Sequence, residues 1–254
     1  MPTDAGVLPV VEVDFGAGVR AGFTTRSGGV SDQPWDALNL GLEVGDATAR
    51  VLANRRVVER WVGARVAFAS QVHGTGVRVL SGPPARPATS VGLYDALVST
   101  SSSVAVAVLV ADCVPVLLAD VEAGVVGAVH AGRRGLVAGV VEAAVDALVG
   151  AGARAGRLRA VVGPSISSAA YEVPPAMRDE VAAALPETWA TTAWGTPALD
   201  LPAGVAAVLA RVGVQDVRSV GICTTADERF YSHRLAGRHG GPTGRFAGVI
   251  RLEG

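Results

Sequence analysis

Apolar residues follow two different periods along the chain, and these periods separate predicted strands from predicted helices. After Ser103 the sequence becomes rich in Val, with three continuous apolar runs bounded by Asp and Gly at Val104–Val110, Val114–Ala119 and Val125–Val129. Runs of this kind are typical of strands that are buried on both faces. Further strands are predicted at residues 10–13, 19–24, 66–71, 76–80, 159–163, 217–223 and 249–252.

Apolar residues at three- and four-residue steps predict helices, the clearest of them over Gly135–Gly150. An earlier helix is predicted over Ala49–Val62, with Asp46 and Thr48 as candidate caps. Two more are predicted at residues 175–185 and 202–212, each with Pro near its start. Strands and helices do not alternate regularly, which favours an α+β fold with mixed sheets over a doubly wound fold. The composition is similar before and after the Pro- and Gly-rich loop at residues 81–90, so residues 1–254 are expected to form a single domain.

Composition excludes several classes of function. All 22 basic residues are Arg, and they balance 23 acidic residues to a net charge of −1. Without Lys, neither a Schiff-base mechanism nor a Walker-type phosphate loop is possible, and the near-neutral charge argues against a nucleic-acid partner. The N-terminus lacks a basic signal region, the longest apolar stretch is too short to span a membrane, and the two cysteines fit a reducing compartment. A cytoplasmic protein with no membrane partner is expected.

Three residues that can bind metals lie at the ends of predicted strands. His73 and His130 precede or adjoin Gly turns, and Cys113 lies between two buried strands. Two imidazoles and a thiolate are a plausible zinc site with an open fourth position. The alternative is that Cys113 is a small buried hydrophobe and each His a satisfied polar residue. Asp112 interrupts a Val run and must therefore be hydrogen-bonded or functional, as an acid or base, a partner of a ligating His, or a turn cap.

A second polar cluster, Thr24–Gly29, follows an early strand and combines hydroxyls, Gly amides and Arg26. Such a cluster can form a concave anion site, in which a guanidinium binds phosphate through two hydrogen bonds. The alternative is an ordinary polar loop. His233 and His239 lie in a polar stretch near the C-terminus and are expected mainly at the surface.

Eight short motifs occur in the order that is found in a known family. They are Thr24–Ser31, Leu38–Gly41, Gln71–Gly74, Tyr94–Leu97, Ala111–Cys113, His130–Gly135, Gly163–Pro164 and Thr243–Phe246. From about residue 20 to the C-terminus the chain resembles the polyphenol oxidase (laccase-domain) family, also called peptidoglycan editing factor. Its members are described as zinc-dependent purine nucleoside phosphorylases with adenosine deaminase activity.

The resemblance implies one domain with α/β/β/α layers, purine nucleosides and phosphate as ligands, and a monomer or weak homo-oligomer. It places the metal, zinc or alternatively copper, on three residues: His73, Cys113 and His130. With it, three residues are assigned to catalysis: Arg26, Gln71 and Asp112. Three are assigned to substrate binding: Arg26, Asn39 and Arg134.

The chain departs from the family pattern at three places. Arg133 stands where the family usually has Trp, His233 stands where Tyr is usual, and Ser165–Ala170 lacks the usual cysteines. The Arg133 side chain is expected either to face the substrate or to point to solvent. Three other functions stay open beside the nucleoside enzyme. They are a copper-dependent polyphenol oxidase, a hydrolase with Cys113 as nucleophile and His130 as base, and a peptidoglycan-related binding protein.

Overall fold

The computed structural model describes residues 8–84, 90–238 and 240–254, so that His239 and residues 85–89 of the predicted loop lie outside the described residues. The strands are β1 Val10–Glu12, β2 Val19–Thr24, β3 Arg65–Ser70, β4 Val77–Leu80, β5 Ser90–Leu93, β6 Ala96–Ser99, β7 Val104–Val110, β8 Val114–Asp120, β9 Val125–Ala131, β10 Arg159–Val162, β11 Trp189–Thr191, β12 Pro197–Leu199, β13 Asp216–Ser219 and β14 Phe246–Leu252. The α-helices are α1 Thr48–Val62, α2 Arg133–Ala138, α3 Val140–Gly150, α4 Pro175–Ala184, α5 Leu201–Arg211 and α6 His233–Arg238.

Two six-stranded sheets form the centre of the fold. The first sheet has the strand order β1-β2-β14-β7-β3-β5, and the second has the order β13-β10-β8-β9-β6-β4. Both sheets are mixed. In the first, β3 pairs in parallel with β7 and β5 while β14 pairs antiparallel with β2 and β7. In the second, β13 and β4 each pair in parallel with their neighbour while β8 and β9 pair antiparallel. Strands β11 and β12 form a separate two-stranded ribbon.

Each sheet packs on the other through one face and on helices through the opposite face. A buried apolar cluster between the sheets includes Val106 and Val108 of the first sheet and Leu117 of the second. Residues of α1 pack against the outer face of the first sheet, and residues of α3 and α5 against the outer face of the second. The α+β class with mixed sheets is thereby confirmed, and the layers follow the order α/β/β/α.

The Val-rich runs are continuous because both faces of their strands are buried. Along β7, Val106 and Val108 enter the core between the sheets, whereas the intervening Ala105 and Ala107 face the α1 side. A solvent-facing position would have required a polar residue at every second place. No described helix is long and apolar enough to cross a membrane.

The predicted helix over Gly135–Gly150 is two helices in the structure. Helix α2 begins already at Arg133 and ends before Gly139. The φ of Gly139 is 98°, a left-handed conformation that glycine adopts without strain. Helix α1 begins at Thr48, one residue before the predicted start, and neither Asp46 nor Thr48 is its N-cap; that residue is Ala47, which has no side-chain cap. The Asp46 carboxylate accepts hydrogen bonds from the Ser31 hydroxyl and the Asn39 amide instead.

Candidate metal centre and its two cavities

Two connections that cross from the first sheet to the second bring the predicted metal ligands together. Strands β3 and β7 run in parallel, so their C-terminal ends lie at the same edge of the first sheet. The chain leaves β3 through His73 towards β4, and it leaves β7 through Cys113 towards β8. In the second sheet, β8 pairs with β9 so that Pro115 lies opposite His130. This register places His130 beside the start of β8 and therefore beside Cys113.

His73, Cys113 and His130 converge on one point, with one ligand atom of each within 4.8 Å of the others. The Cys113 Sγ lies 3.7 Å from His73 Nε2, and the two imidazole rings meet edge to face at a centroid distance of 4.7 Å. His130 is buried, whereas His73 and Cys113 are partly exposed. The group can hold a metal ion, and a thiolate with two imidazoles is a donor set that suits zinc or copper.

Gly132 shapes the wall of this group and explains one glycine of the His130–Gly135 motif. A Cβ at this position would lie 2.5 Å from His73 Cδ2 and 3.2 Å from Cys113 Sγ. Any side chain here would therefore displace a ligand. The backbone of the turn after β9 packs directly against the donor atoms, which is the arrangement that a compact metal centre requires.

Asp95 holds two of the three ligands in place, and its carboxylate is fully buried. It accepts a hydrogen bond of 2.8 Å from His130 Nδ1 and one of 2.9 Å from the backbone N–H of His73. It also accepts from the backbone N–H groups of Val72 and Gly74, at 3.2 and 2.7 Å. Because Nδ1 is bound to Asp95, His130 keeps Nε2 for a metal, as in the carboxylate–histidine pairs of many metal sites.

The neighbouring histidines favour the thiolate form of Cys113. Burial by itself raises the pKa of the Cys113 thiol, but the neighbouring His130 and His73 outweigh it and lower the pKa. Burial likewise opposes the charge on Asp95, and the hydrogen bonds from His130 and the backbone outweigh it, so the pKa of this carboxyl is lowered. A thiolate is the form of cysteine that binds metals.

Asp112, which precedes Cys113, is hydrogen-bonded on every side chain oxygen. Its backbone has a φ of 90°, in the left-handed region that few residues other than glycine adopt. One carboxylate oxygen accepts from the Thr224 hydroxyl and the other from the backbone N–H of Arg234, each at 2.6 Å. Asp112 thus ties the C-terminal segment to the ligand loop, and no hydrogen bond links its carboxylate to a described ligand histidine.

Gln71 also lies at the site, and both ends of its side-chain amide are hydrogen-bonded to the backbone. Its side-chain NH₂ donates to the backbone carbonyl of Leu109, and its carbonyl accepts from the Leu109 N–H, each at 2.7 Å. This pair joins the ends of β3 and β7, from which the two ligand loops start. Gln71 lines a cavity beside the metal centre while holding that edge of the sheet together.

The structure does not bring Arg26 and Asn39 into the described linings of the two cavities beside the centre. The Arg26 guanidinium pairs with the Asp36 carboxylate at 3.1 Å and donates to the Asp36 carbonyl. Asn39 is fully buried, where its amide bonds Asp46 and the backbone of Gly41 and Arg245. Both side chains are already hydrogen-bonded to neighbouring protein groups. The composition of the loop alone could not show these partners.

Two cavities open on either side of the metal centre and share four lining residues: His73, Ala111, Cys113 and His233. The first, of about 330 Å³, has apolar walls that include Phe68, Leu109 and Val110. The second, of about 310 Å³, is lined by three arginines, Arg133, Arg134 and Arg234. Arg134 therefore lies at the site, and Arg133 and His233, two of the three departures from the family pattern, lie there too.

Sequence reasoning missed two residues with defined places in the site. Asp95 immediately precedes the buried strand β6, so the argument applied to Asp112, that a carboxylate beside an apolar run needs partners, would have singled it out. Arg245 lines the first cavity, and its guanidinium donates to the carbonyls of Thr243 and Gly244. Burial lowers its pKa, while the charges of Cys113 and Asp112 act in the opposite direction.

Comparison with known proteins identifies the family of this chain. A family model described as multi-copper polyphenol oxidoreductase laccase matches residues 20–253. The chain is 49% identical over 234 residues to a Streptomyces griseus protein named purine nucleoside phosphorylase ORF3, covering 91% of this chain and 93% of the relative. It is 48% identical over 240 residues to the Streptomyces coelicolor protein named purine nucleoside phosphorylase SCO2081, covering 93% and 96%.

A solved structure supports the fold over nearly the whole chain. The crystal structure of Neisseria meningitidis protein NMB0706 matches with a TM-score of 0.84 and 35% identity, covering 96% of this chain and 99% of that one. The family expected from the eight motifs is thereby confirmed. The chain belongs to the multi-copper polyphenol oxidoreductase laccase family.

Proposed function

We propose that this protein is a purine nucleoside phosphorylase that cleaves adenosine, inosine and methylthioadenosine beside the His73–Cys113–His130 group. One observation carries the proposal: the donor group adjoins two cavities, one that carries the Phe68 ring and one that is lined by three arginines. Phosphorolysis requires the phosphate anion and the departing purine to lie on opposite sides of C1′ of the ribose. The names of the two Streptomyces relatives point to the same reaction.

The nucleoside would occupy the first cavity. Its volume of about 330 Å³ lies within the range of small-molecule sites, and its walls carry the Phe68 ring beside Leu109 and Val110. Two guanidiniums also line it, but both are engaged. Arg55 donates to the Leu40 carbonyl and lies 4.0 Å from the Phe68 ring centroid, and Arg245 donates to two carbonyls. These arginines stiffen the wall of a pocket whose free surface is largely apolar.

In the reaction, a phosphate oxygen forms a bond to C1′ of the ribose while the C1′–N9 bond breaks. The electron pair of that bond goes to the purine, which takes up a proton, and the products are the free base and ribose 1-phosphate. The chain contributes a rigid frame where the two cavities adjoin, fixed by Asp95 on the ligand side and by Gln71 on the strand side. Preorganised wall groups lower the cost of bringing two reactants together.

His73, Cys113 and His130 would hold the metal ion, for which we propose zinc. A bound zinc ion supplies a Lewis acid and lowers the pKa of a water molecule that it binds. Three protein ligands leave a coordination position open, as in catalytic zinc sites. This open position supports a second proposed activity, the hydrolytic deamination of adenosine, in which water replaces the amino group at C6 and ammonia leaves.

Incubation of the purified protein with adenosine, inosine and methylthioadenosine, with and without phosphate, tests both activities. Release of free base only in the presence of phosphate supports phosphorolysis. Conversion of adenosine to inosine in the absence of phosphate supports deamination. Absence of free base under both conditions would contradict the phosphorylase.

Two further measurements address the alternatives. Metal analysis after purification without added metal distinguishes zinc from copper, and oxidation of a phenol with uptake of oxygen would support the polyphenol oxidase. Four-copper clusters need many histidines, whereas this chain has four in all. A hydrolase with Cys113 as nucleophile would lose activity on alkylation and keep full activity after removal of the metal.

A further inference from the structure

The second cavity carries an excess of positive charge next to the metal centre. Arg133, Arg134 and Arg234 line it, and Asp112 is the one carboxylate among its described lining residues. Both oxygens of Asp112 already accept short hydrogen bonds, from Thr224 and from the backbone of Arg234. Asp112 is therefore poorly placed to hydrogen-bond the guanidiniums, and the three arginines outnumber the one carboxylate.

The three guanidiniums differ in how they are held. Arg234 is anchored, since its Nη1 donates to the Glu172 carbonyl at 2.9 Å and its guanidinium lies 5.1 Å from the Tyr171 ring centroid. Arg133 lies near the Tyr171 side chain, and its charge lowers the pKa of that phenol against the larger, opposing effect of burial. Arg134 is exposed, and no hydrogen bond or ion pair joins its side chain to any residue that the structure describes. The cavity thus combines one anchored guanidinium with one whose donors are all available to an anion.

The arginines of the first cavity do not offer the same donors. Arg245 donates through Nη1 to two backbone carbonyls, and the buried Arg55 donates to the Leu40 carbonyl. Arg26, outside both described linings, is paired with Asp36. Guanidinium groups bind phosphate most strongly when two N–H donors are available in one plane. Arg134 meets this condition best among these arginines.

We propose that the second cavity is the site of the phosphoryl oxyanion, held by Arg134 with Arg133 and Arg234 beside it. This inference deepens the proposed function, on which it rests for the identity of the ligand as inorganic phosphate. The two cavities adjoin at His73, Ala111, Cys113 and His233, so an anion in the second cavity lies next to a nucleoside in the first. Attack on C1′ from the side opposite the departing purine requires this arrangement.

Equilibrium binding of inorganic phosphate tests the site without any need for turnover. Binding to the full-length, metal-loaded protein is measured by calorimetry for the wild type and for Arg134→Gln. Loss of charged hydrogen bonds predicts a dissociation constant for phosphate that is about ten- to hundredfold higher in the variant. Because Arg134 has no described partner, its replacement leaves the fold intact, and far-ultraviolet circular dichroism checks this.

A matched control removes the same charge elsewhere. Arg211 lies at the far end of α5 and pairs with Glu187 at 2.7 Å, so Arg211→Gln should bind phosphate like the wild type. Adenosine 5′-monophosphate serves as a competitor. If free phosphate is the ligand, inorganic phosphate and AMP compete for the second cavity, but only inorganic phosphate supports release of base from inosine. If AMP binds at this site and inorganic phosphate does not, the assignment to free phosphate is overturned.

The outcomes separate this inference from the proposed function. Phosphate binding that depends on Arg134, in a protein that cleaves no nucleoside, would uphold the anion site and contradict the phosphorylase. Phosphate-dependent cleavage with unchanged binding in Arg134→Gln would uphold the phosphorylase and overturn the site. Loss of binding in Arg245→Gln or Arg26→Gln, with retention in Arg134→Gln, would likewise place the anion elsewhere.

Discussion

Replacement of Asp95 by Asn should weaken metal binding although it leaves all three ligands in place. The carboxylate accepts four hydrogen bonds, two on each oxygen. One oxygen bonds His130 Nδ1 and the His73 N–H, and the other bonds the N–H groups of Val72 and Gly74. An amide retains only one acceptor oxygen, so in either orientation its NH₂ group faces donors.

Each orientation has a definite cost. If the NH₂ group faces Val72 and Gly74, two partly buried N–H donors lose their acceptor, which costs at most about 2–6 kcal/mol of the free energy of unfolding at about 1–3 kcal/mol per fully buried group. If it faces His130, the ring must accept through Nδ1 and carry its proton on Nε2, the atom that would bind the metal. Loss of such a carboxylate partner typically lowers metal affinity about 10- to 100-fold.

Asp120→Asn provides the matched control. Asp120 is as deeply buried as Asp95 and accepts from the backbone of Ala123 and Arg154 and from Arg157, at the opposite end of β8. Urea denaturation gives the free energy of unfolding, and competition with a chromophoric chelator gives the zinc affinity. Both variants should lose stability, but only Asp95→Asn should lose affinity. Equal zinc affinity in the two variants would refute the orienting role of Asp95.

Four further changes test other parts of the account. Cys113→Ser should lose most of the bound metal, because the thiolate is the strongest ligand of the three; an unchanged metal content by elemental analysis would exclude Cys113 as a ligand. Gly132→Ala should lower zinc affinity at least about tenfold, since its Cβ would displace a ligand side chain, whereas Gly156→Ala, with nothing within 4 Å, should not. Arg133→Trp should raise the KM for phosphate and flatten its dependence on salt; if neither changes, the Arg133 side chain is irrelevant to substrate binding. Finally, Asp120 has a pKa that hydrogen bonds and Arg157 lower against the opposing effect of burial, so its stabilisation is present at neutral pH and is lost as the pH falls below about 4. Acid titration of the free energy of unfolding should therefore be shallower in Asp120→Asn than in the wild type.

The sequence predicted well those features that depend on long apolar runs. Strands β7, β8 and β9 appear where continuous Val runs indicated burial on both faces, because a strand between two packed layers has no polar face. The break between α2 and α3 was missed, since Gly139 follows the helical period and only its left-handed φ ends the first helix. Short elements such as β11 and β12 carry too few residues to show a period.

The candidate site could be predicted for residue types that are rare in this chain, and not for residue types that are common. His73, Cys113 and His130 stand out because the chain has few histidines and cysteines, and the structure brings them together. Arg26 and Asn39 are ordinary polar residues whose partners come from distant or local backbone groups. Which of many arginines faces a cavity depends on packing across the two sheets, so no local pattern reveals it.

Phosphorus NMR of the products tests the central claim most directly. The wild-type protein, loaded with zinc, is incubated with inosine and inorganic phosphate, and the phosphorus spectrum is followed with time. The account predicts that the phosphate signal is replaced by that of ribose 1-phosphate in step with the release of hypoxanthine, and that Cys113→Ser does neither. Release of hypoxanthine with free ribose and an unchanged phosphate signal would show hydrolysis, and it would contradict the phosphorylase.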